Sequence, residues 1–229
     1  MKFLAVCVLS LGLTTSIFAQ TERFDRLGFG IGPAKVYGDN TGRHREFKFE
    51  IYPVATIDYS KKITPFIDLK ATIGWQIISG GRFISDPIRN TFAEANLPYG
   101  FKGSLFFGDI MPIYHFNPDQ SGYIPSTIKV YSGIGLGYFY SNRTDKKRII
   151  TDSGYINESY SASDSHMYIP YRLGIFKTTK DTSREIGLEA TFLISPFGEI
   201  EGNDYKNRVI NSDIAMQFQF YYRISLSNY

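Results

Sequence analysis

Three histidines, one cysteine and two glycine-rich runs are the residues whose types could carry chemistry. His166 follows Ser163, Asp164 and Ser165, and those side chains could in principle supply a nucleophile, a base and an orienting acid for acyl transfer on lipid. Their spacing defeats that use. Neighbours on an extended strand point to opposite faces, so Ser163 and Ser165 are set apart from Asp164 and His166. His44, in a first loop, and His166 are expected at the same rim, but two imidazoles without a third ligand do not make a metal site. His115 ends a different strand at the opposite side. Gly28-Phe29-Gly30-Ile31-Gly32 and Gly133-Ile134-Gly135-Leu136-Gly137 lack the G-x-G-x-x-G spacing and the strand-then-helix setting of a phosphate loop. Strict alternation suits instead a smooth strand face that leaves room for large neighbours. No catalytic, cofactor-binding or metal residue is assigned, and a non-enzymatic protein without a cofactor is expected.

The elements that must position such side chains begin after an export signal. Met1-Lys2, the apolar run Phe3 to Leu13 and Thr14-Thr15-Ser16-Ile17-Phe18-Ala19 supply a positive start, a short apolar middle and a small residue before the cut. Residues 1–19 are therefore expected to be a signal peptide cleaved after Ala19, with 20–229 forming a single domain. Cys7 lies inside the apolar run, where acylation does not occur, and its loss with the signal leaves no thiol for a disulfide or thiolate metal site. The formal charge of +3 includes Lys2, so the mature chain carries +2, too little and too dispersed for nucleic acid.

Aromatic residues make up 16% of the chain, with 17 Tyr and 19 Phe against one Trp, yet no stretch after residue 19 is apolar over the length of a spanning helix. Period two dominates instead. Over 47–59 the odd positions read Phe47, Phe49, Ile51, Pro53, Ala55, Ile57, Tyr59, against Lys48, Glu50, Tyr52, Val54, Thr56 and Asp58. Over 67–77, Ile67, Leu69, Ala71, Ile73, Trp75 and Ile77 alternate with Asp68, Lys70, Thr72, Gly74 and Gln76. Similar segments near 26–37, 101–116, 128–141, 166–177, 185–196 and 213–225 make eight strands, an even number that lets an antiparallel up-and-down sheet close into a barrel. The connections alternate too: those near 60–64, 117–127 and 178–184 are shorter, and those at 79–100, 142–165 and 197–212 are longer and polar.

An all-β, eight-stranded antiparallel up-and-down transmembrane barrel accounts for these features, with a water-soluble, lipocalin-like barrel as the alternative. Strand length favours the membrane form, because about 9–11 residues span a bilayer and several segments here are longer. So do aromatic strand ends (Tyr59, Trp75, Tyr114, Tyr138, Tyr140, Tyr168, Tyr222), where girdles belong. In that arrangement Glu46, Lys48, Glu50, Asp58, Asp68, Lys70, Lys102, Asp109, Lys129, Arg172, Glu189 and Arg223 face a narrow lumen. Both signs are present, as a cross-lumen network of ion pairs requires. A plugged structural core is then favoured over a conducting, porin-like pore. A lipid-modifying barrel enzyme is the third class, and it lacks a triad.

Several motifs together resemble a known group: Leu27-Gly28-Phe29-Gly30-Ile31-Gly32 leading to Tyr37-Gly38-Asp39; Pro112-Ile113-Tyr114-His115-Phe116-Asn117-Pro118; the run from Tyr131 to Asn142; and Ile169-Pro170-Tyr171-Arg172-Leu173-Gly174. They resemble small outer-membrane barrels of Bacteroidetes, among them the barrel component of the type IX secretion system. The resemblance implies a place in the cell outer membrane and a structural, assembly or secretion-accessory role. Its expected partners are outer-membrane lipid and envelope or secretion proteins met through loops 79–100, 142–165 and 197–212.

Overall fold

Alternating apolar and polar residues satisfy a sheet only when its two faces meet different solvents. The computed structural model describes residues 25–43, 46–118, 128–152, 154–179, 183–196, 200–203 and 212–226. The chain runs through β1 (Asp25–Tyr37), β2 (Gly42–Arg43), β3 (Lys48–Phe49), β4 (Tyr52–Lys62), β5 (Ile67–Gly80), helix α1 (Asp86–Glu94), β6 (Pro98–His115), β7 (Lys129–Ile134), β8 (Leu136–Thr151), β9 (Gly154–Thr178), β10 (Arg184–Ser195) and β11 (Asp213–Leu226). Successive long strands pair antiparallel, and β11 returns to β1, so the ring closes. β7 and β8 are two parts of one stave broken at Gly135, each flanked by β6 and β9. The barrel thus has the expected eight staves. The signal segment 1–19 and His44 lie outside the described residues.

One end carries Asp25, Leu226 and the shorter connections; the other carries α1, the β8–β9 hairpin and residues 200–203. Three differences from the sequence reading lie at this long-loop end. The strand expected from Phe47 begins at Tyr52, because Phe47, with φ of 54°, turns the backbone into the separate β2–β3 ribbon. Residues 142–165, expected as a loop, form a ladder that continues from Gly137–Tyr168 to Thr151–Gly154. Within 79–100 the chain forms α1, started by a proline in its first turn beside Asp86 and anchored by buried Phe92.

The faces are inverted relative to a water-soluble barrel. On β5, Ile67, Leu69, Ile73 and Trp75 are exposed while Asp68, Lys70, Thr72 and Gln76 are buried. On β11, Phe218 and Phe220 face outward, with Gln217, Gln219 and Arg223 inside. A continuous greasy belt of this kind needs hydrocarbon around it, which removes the lipocalin-like alternative. Trp75, Phe106 and Tyr140 stand in register across β5, β6 and β8 and form an outward aromatic row near the long-loop edge of the belt.

Candidate functional site: a charge-filled lumen and a capped mouth

Inward-facing positions from all eight staves converge on the barrel axis, where carboxylates and cations must find one another or remain unpaired in a low dielectric. Near the short-turn end, Arg26 pairs with Glu185, and His115 Nε2 lies 2.8 Å from Asp68 Oδ2. The next layer centres on Glu189. Lys70 Nζ donates to its Oε2 at 2.6 Å, Arg223 approaches the same oxygen at 3.4 Å, Arg172 Nε lies 3.6 Å from Oε1, and the Tyr131 hydroxyl also donates to it. Arg223 Nε donates to Asp58 at 2.8 Å, and Lys70 is 3.8 Å from the same carboxylate. Arg172 bonds Asp109 at 2.8 Å and Thr72, while Tyr168 donates to Asp109 at 2.8 Å. These six charged groups are no more than 5% exposed. Above them Thr56, Gln219, Gln217 and Gln76 form a chain of hydrogen bonds between 2.6 and 2.9 Å.

Space for these large side chains comes from the inward glycines. A Cβ on Gly28 would meet Asp58 and Arg223, and one on Gly174 would fall 2.1 Å from the Tyr131 ring. The alternating glycines therefore make room for the ion cluster rather than for a nucleotide.

Toward the long-loop end the lumen becomes apolar. Ala34, Val36, Val54, Ile78, Phe101 and Leu105 form one buried cluster with Ile200. Residues 200–203 dip into this mouth: Glu201 accepts the backbone N–H groups of Asp39 and Asn40, and Asn203 donates to Asn40 and to the Pro98 carbonyl, at 2.6 and 2.9 Å. Asp213 accepts from the N–H of Ile200 at 2.6 Å. Gly202 has φ of 72° and lies against the Arg143 guanidinium, so a side chain there would be both strained and in collision. Arg143 in turn holds Asp145 at 3.0 Å and Asp164 at 2.5 Å. Asp145 lies beyond the apolar belt, and burial pushes its carboxyl above the usual range although Arg143 opposes the shift.

Of the charges expected in the lumen, Asp58, Asp68, Lys70, Asp109, Lys129, Arg172, Glu189 and Arg223 are buried there. Glu46, Lys48 and Lys102 are not: all three are exposed, the first two around the β2–β3 ribbon and Lys102 on the outer face of β6. Glu50 is half-buried and accepts from the Tyr52 hydroxyl at 2.7 Å. Tyr168, expected in the girdle, points inward to Asp109. Arg26, Glu185, Arg143 and Asp145 escaped the sequence reading; the first two flank strand ends, and the last two sit in the segment read as a loop. The Ser-His-Asp reading fails on geometry, since Asp164 is engaged by Arg143, His166 packs edge-on against Phe139, and Ser163 and Ser165 are exposed on the opposite face.

Neither a protein-family model nor a curated protein matches the chain. Solved structures do. Neisserial surface protein A matches with a TM-score of 0.52 at 10% identity, over 88% of this chain and 97% of that one. Ail, the attachment invasion locus protein of Yersinia pestis, solved with the heparin analogue sucrose octasulfate, gives 0.45 at 10% identity over 89% and 100%. The N-terminal β-barrel domain of Pseudomonas aeruginosa OprF gives 0.43 at 9% identity over 88% and 98%. The fold is that of the eight-stranded outer-membrane β-barrels.

Proposed function

We propose that this chain is an exported, integral outer-membrane barrel that works by recognition at its long-loop end and neither conducts solutes nor catalyses a reaction. The lumen carries this reading. A ring of three cations and three carboxylates, roofed by an apolar cluster and by residues 200–203, fills the axis where a pore would need water. Among the described residues, the parts that project, α1 and the β8–β9 hairpin above all, lie at one end, which in this reading is extracellular, with the short connections periplasmic.

A structural or assembly role in the envelope suits such a body, with lipid around it and other proteins at its loops. The finer assignment, an accessory of the type IX secretion machinery in a Bacteroidetes cell, draws its support from the Gly/aromatic strand motifs. Co-purification with a secretion component in mild detergent tests it.

The general reading is tested on the purified mature protein. Unheated and boiled samples should migrate differently on a gel, because a closed barrel resists denaturation until heated, and planar bilayers should show no stepwise conductance. Regular single-channel steps from protein with an intact gel shift would replace this reading with the porin-like one.

A further inference from the structure

Just beyond the aromatic row of Trp75, Phe106 and Tyr140, the outer wall changes character. Lys102 on β6 stands opposite Thr144 on β8, and Lys146 follows two residues farther along the same face of β8. Diagonal neighbours of this kind lie roughly 7 Å apart, and like charges so placed repel. Both lysines are exposed, and neither has an acidic partner among the described residues. Their surroundings on this face are neutral hydrogen-bonding groups: Ser161 and Ser163 of β9 sit opposite Thr144 and Asn142, all exposed. An uncompensated pair of ammonium groups, edged by hydroxyls and set directly above a lipid-facing aromatic row, is placed at the depth of headgroup phosphates.

We propose that the outer face of β6, β8 and β9 binds the phosphates of an anionic glycolipid of the outer leaflet. The inference rests on the long-loop end being extracellular, as read above. Lys102 and Lys146 bracket one phosphate, and the serine and threonine hydroxyls take its remaining oxygens or the attached sugar. The occupant's acyl chains run down the belt below.

The test uses the full mature protein, folded in detergent micelles, titrated with a bis-phosphorylated diglucosamine lipid and with its dephosphorylated form, and bound lipid counted by native mass spectrometry. The phosphorylated lipid should be preferred about tenfold at low salt. That preference should vanish in Lys102→Gln/Lys146→Gln and persist in Lys61→Gln/Lys177→Gln, which removes two exposed lysines at the short-turn end. Equal binding of the two lipids by the unaltered protein would overturn the proposal, as would a preference that survives the first double variant or falls equally in both. Each variant is first shown to keep its heat-dependent gel shift, so loss of the barrel is separated from loss of the site.

Discussion

Replacing Glu189 by Gln should be among the most destabilising single changes in this barrel. Glu189 touches all three cations of the mid-barrel layer, at 2.6 Å from Lys70, 3.4 Å from Arg223 and 3.6 Å from Arg172. Asp58 and Asp109 are the other anions of this layer, and Glu185, which Arg223 reaches at 4.0 Å, is matched by Arg26, so the buried charges balance. Glutamine keeps the volume and part of the hydrogen bonding but leaves one buried positive charge without a partner. Breaking a buried pair from one side costs about 3–5 kcal/mol, a large share of the stability of a typical domain. The compensating change is Lys70→Met. Lys70→Met/Glu189→Gln restores neutrality, and because well-packed neutral groups replace buried pairs at little cost, the double variant should lose only about 1–2 kcal/mol. The coupling between the two sites is then about 2 kcal/mol or more. Urea unfolding of the barrel folded into lipid vesicles, followed by tryptophan fluorescence and gel shift, measures both quantities, with the midpoint moving and the slope unchanged. If Glu189→Gln costs less than about 1 kcal/mol, or if the double variant loses as much as both single variants together, the lumen is hydrated and the ion cluster does not hold the axis closed.

Other consequences follow from single contacts. Gly174→Leu should destabilise the barrel by about 1–3 kcal/mol through collision with the Tyr131 ring, and Tyr131→Phe should relieve little of it because the clash is with the ring; urea midpoints decide. Phe101→Ala, in the apolar mouth, should cost about 3–5 kcal/mol in the same assay while conductance stays at baseline, since the ion cluster still fills the axis below. The Asp145 carboxyl is raised by burial, so the folded state holds its proton at a pH where the unfolded chain has released it. Its contribution therefore favours the folded state at low pH and is lost as pH rises through the ordinary carboxylate range toward its raised value. Asp145→Asn should flatten that part of the stability profile, from the ordinary carboxylate range upward, read from unfolding midpoints. Trypsin should cut near Lys147 and Arg148, on the far part of the β8–β9 hairpin, and leave a core that still shows the gel shift, because the closed ring below does not depend on the tip.

The barrel was legible wherever one face of a strand met lipid and the other met the lumen. Ile67 to Ile77 alternate with Asp68 to Gln76 because those two environments differ, and the observed burial follows the same parity. Beyond the belt that difference disappears. Residues 142–165 have water or polar neighbours on nearly every side, so Ser, Asn and Asp occupy both faces and the period-two signal fades while the backbone ladder continues. That is why the hairpin read as a loop, and why Arg143 and Asp145 were missed. The opposite error arose at Phe47 and Phe49, whose alternation is real but belongs to the two-residue ribbon β2–β3, joined after a backbone reversal. Ser85-Asp86-Pro87 carries an ordinary helix-start signal, but its helix is short and lies between strands, where turn-like composition masks it. Of the candidate site, the charges at mid-barrel could be assigned from parity alone. Lys102 shares the outward parity of Phe106 and Ile110, and its charge points to the lumen only because the sequence does not show where along the stave the lipid ends.

Trp75 makes the central claim, that the greasy face meets hydrocarbon, open to direct measurement, because it is the only tryptophan of the chain and stands on the outer wall. The mature protein is reconstituted in vesicles of lipids brominated at defined acyl positions, and the quenching of its fluorescence is compared with quenching by aqueous iodide. Strong quenching by bromines near the headgroup end of the chains, with little effect of iodide, is the expected result. Ready quenching by iodide and indifference to brominated lipid would place that face in water and contradict the membrane barrel.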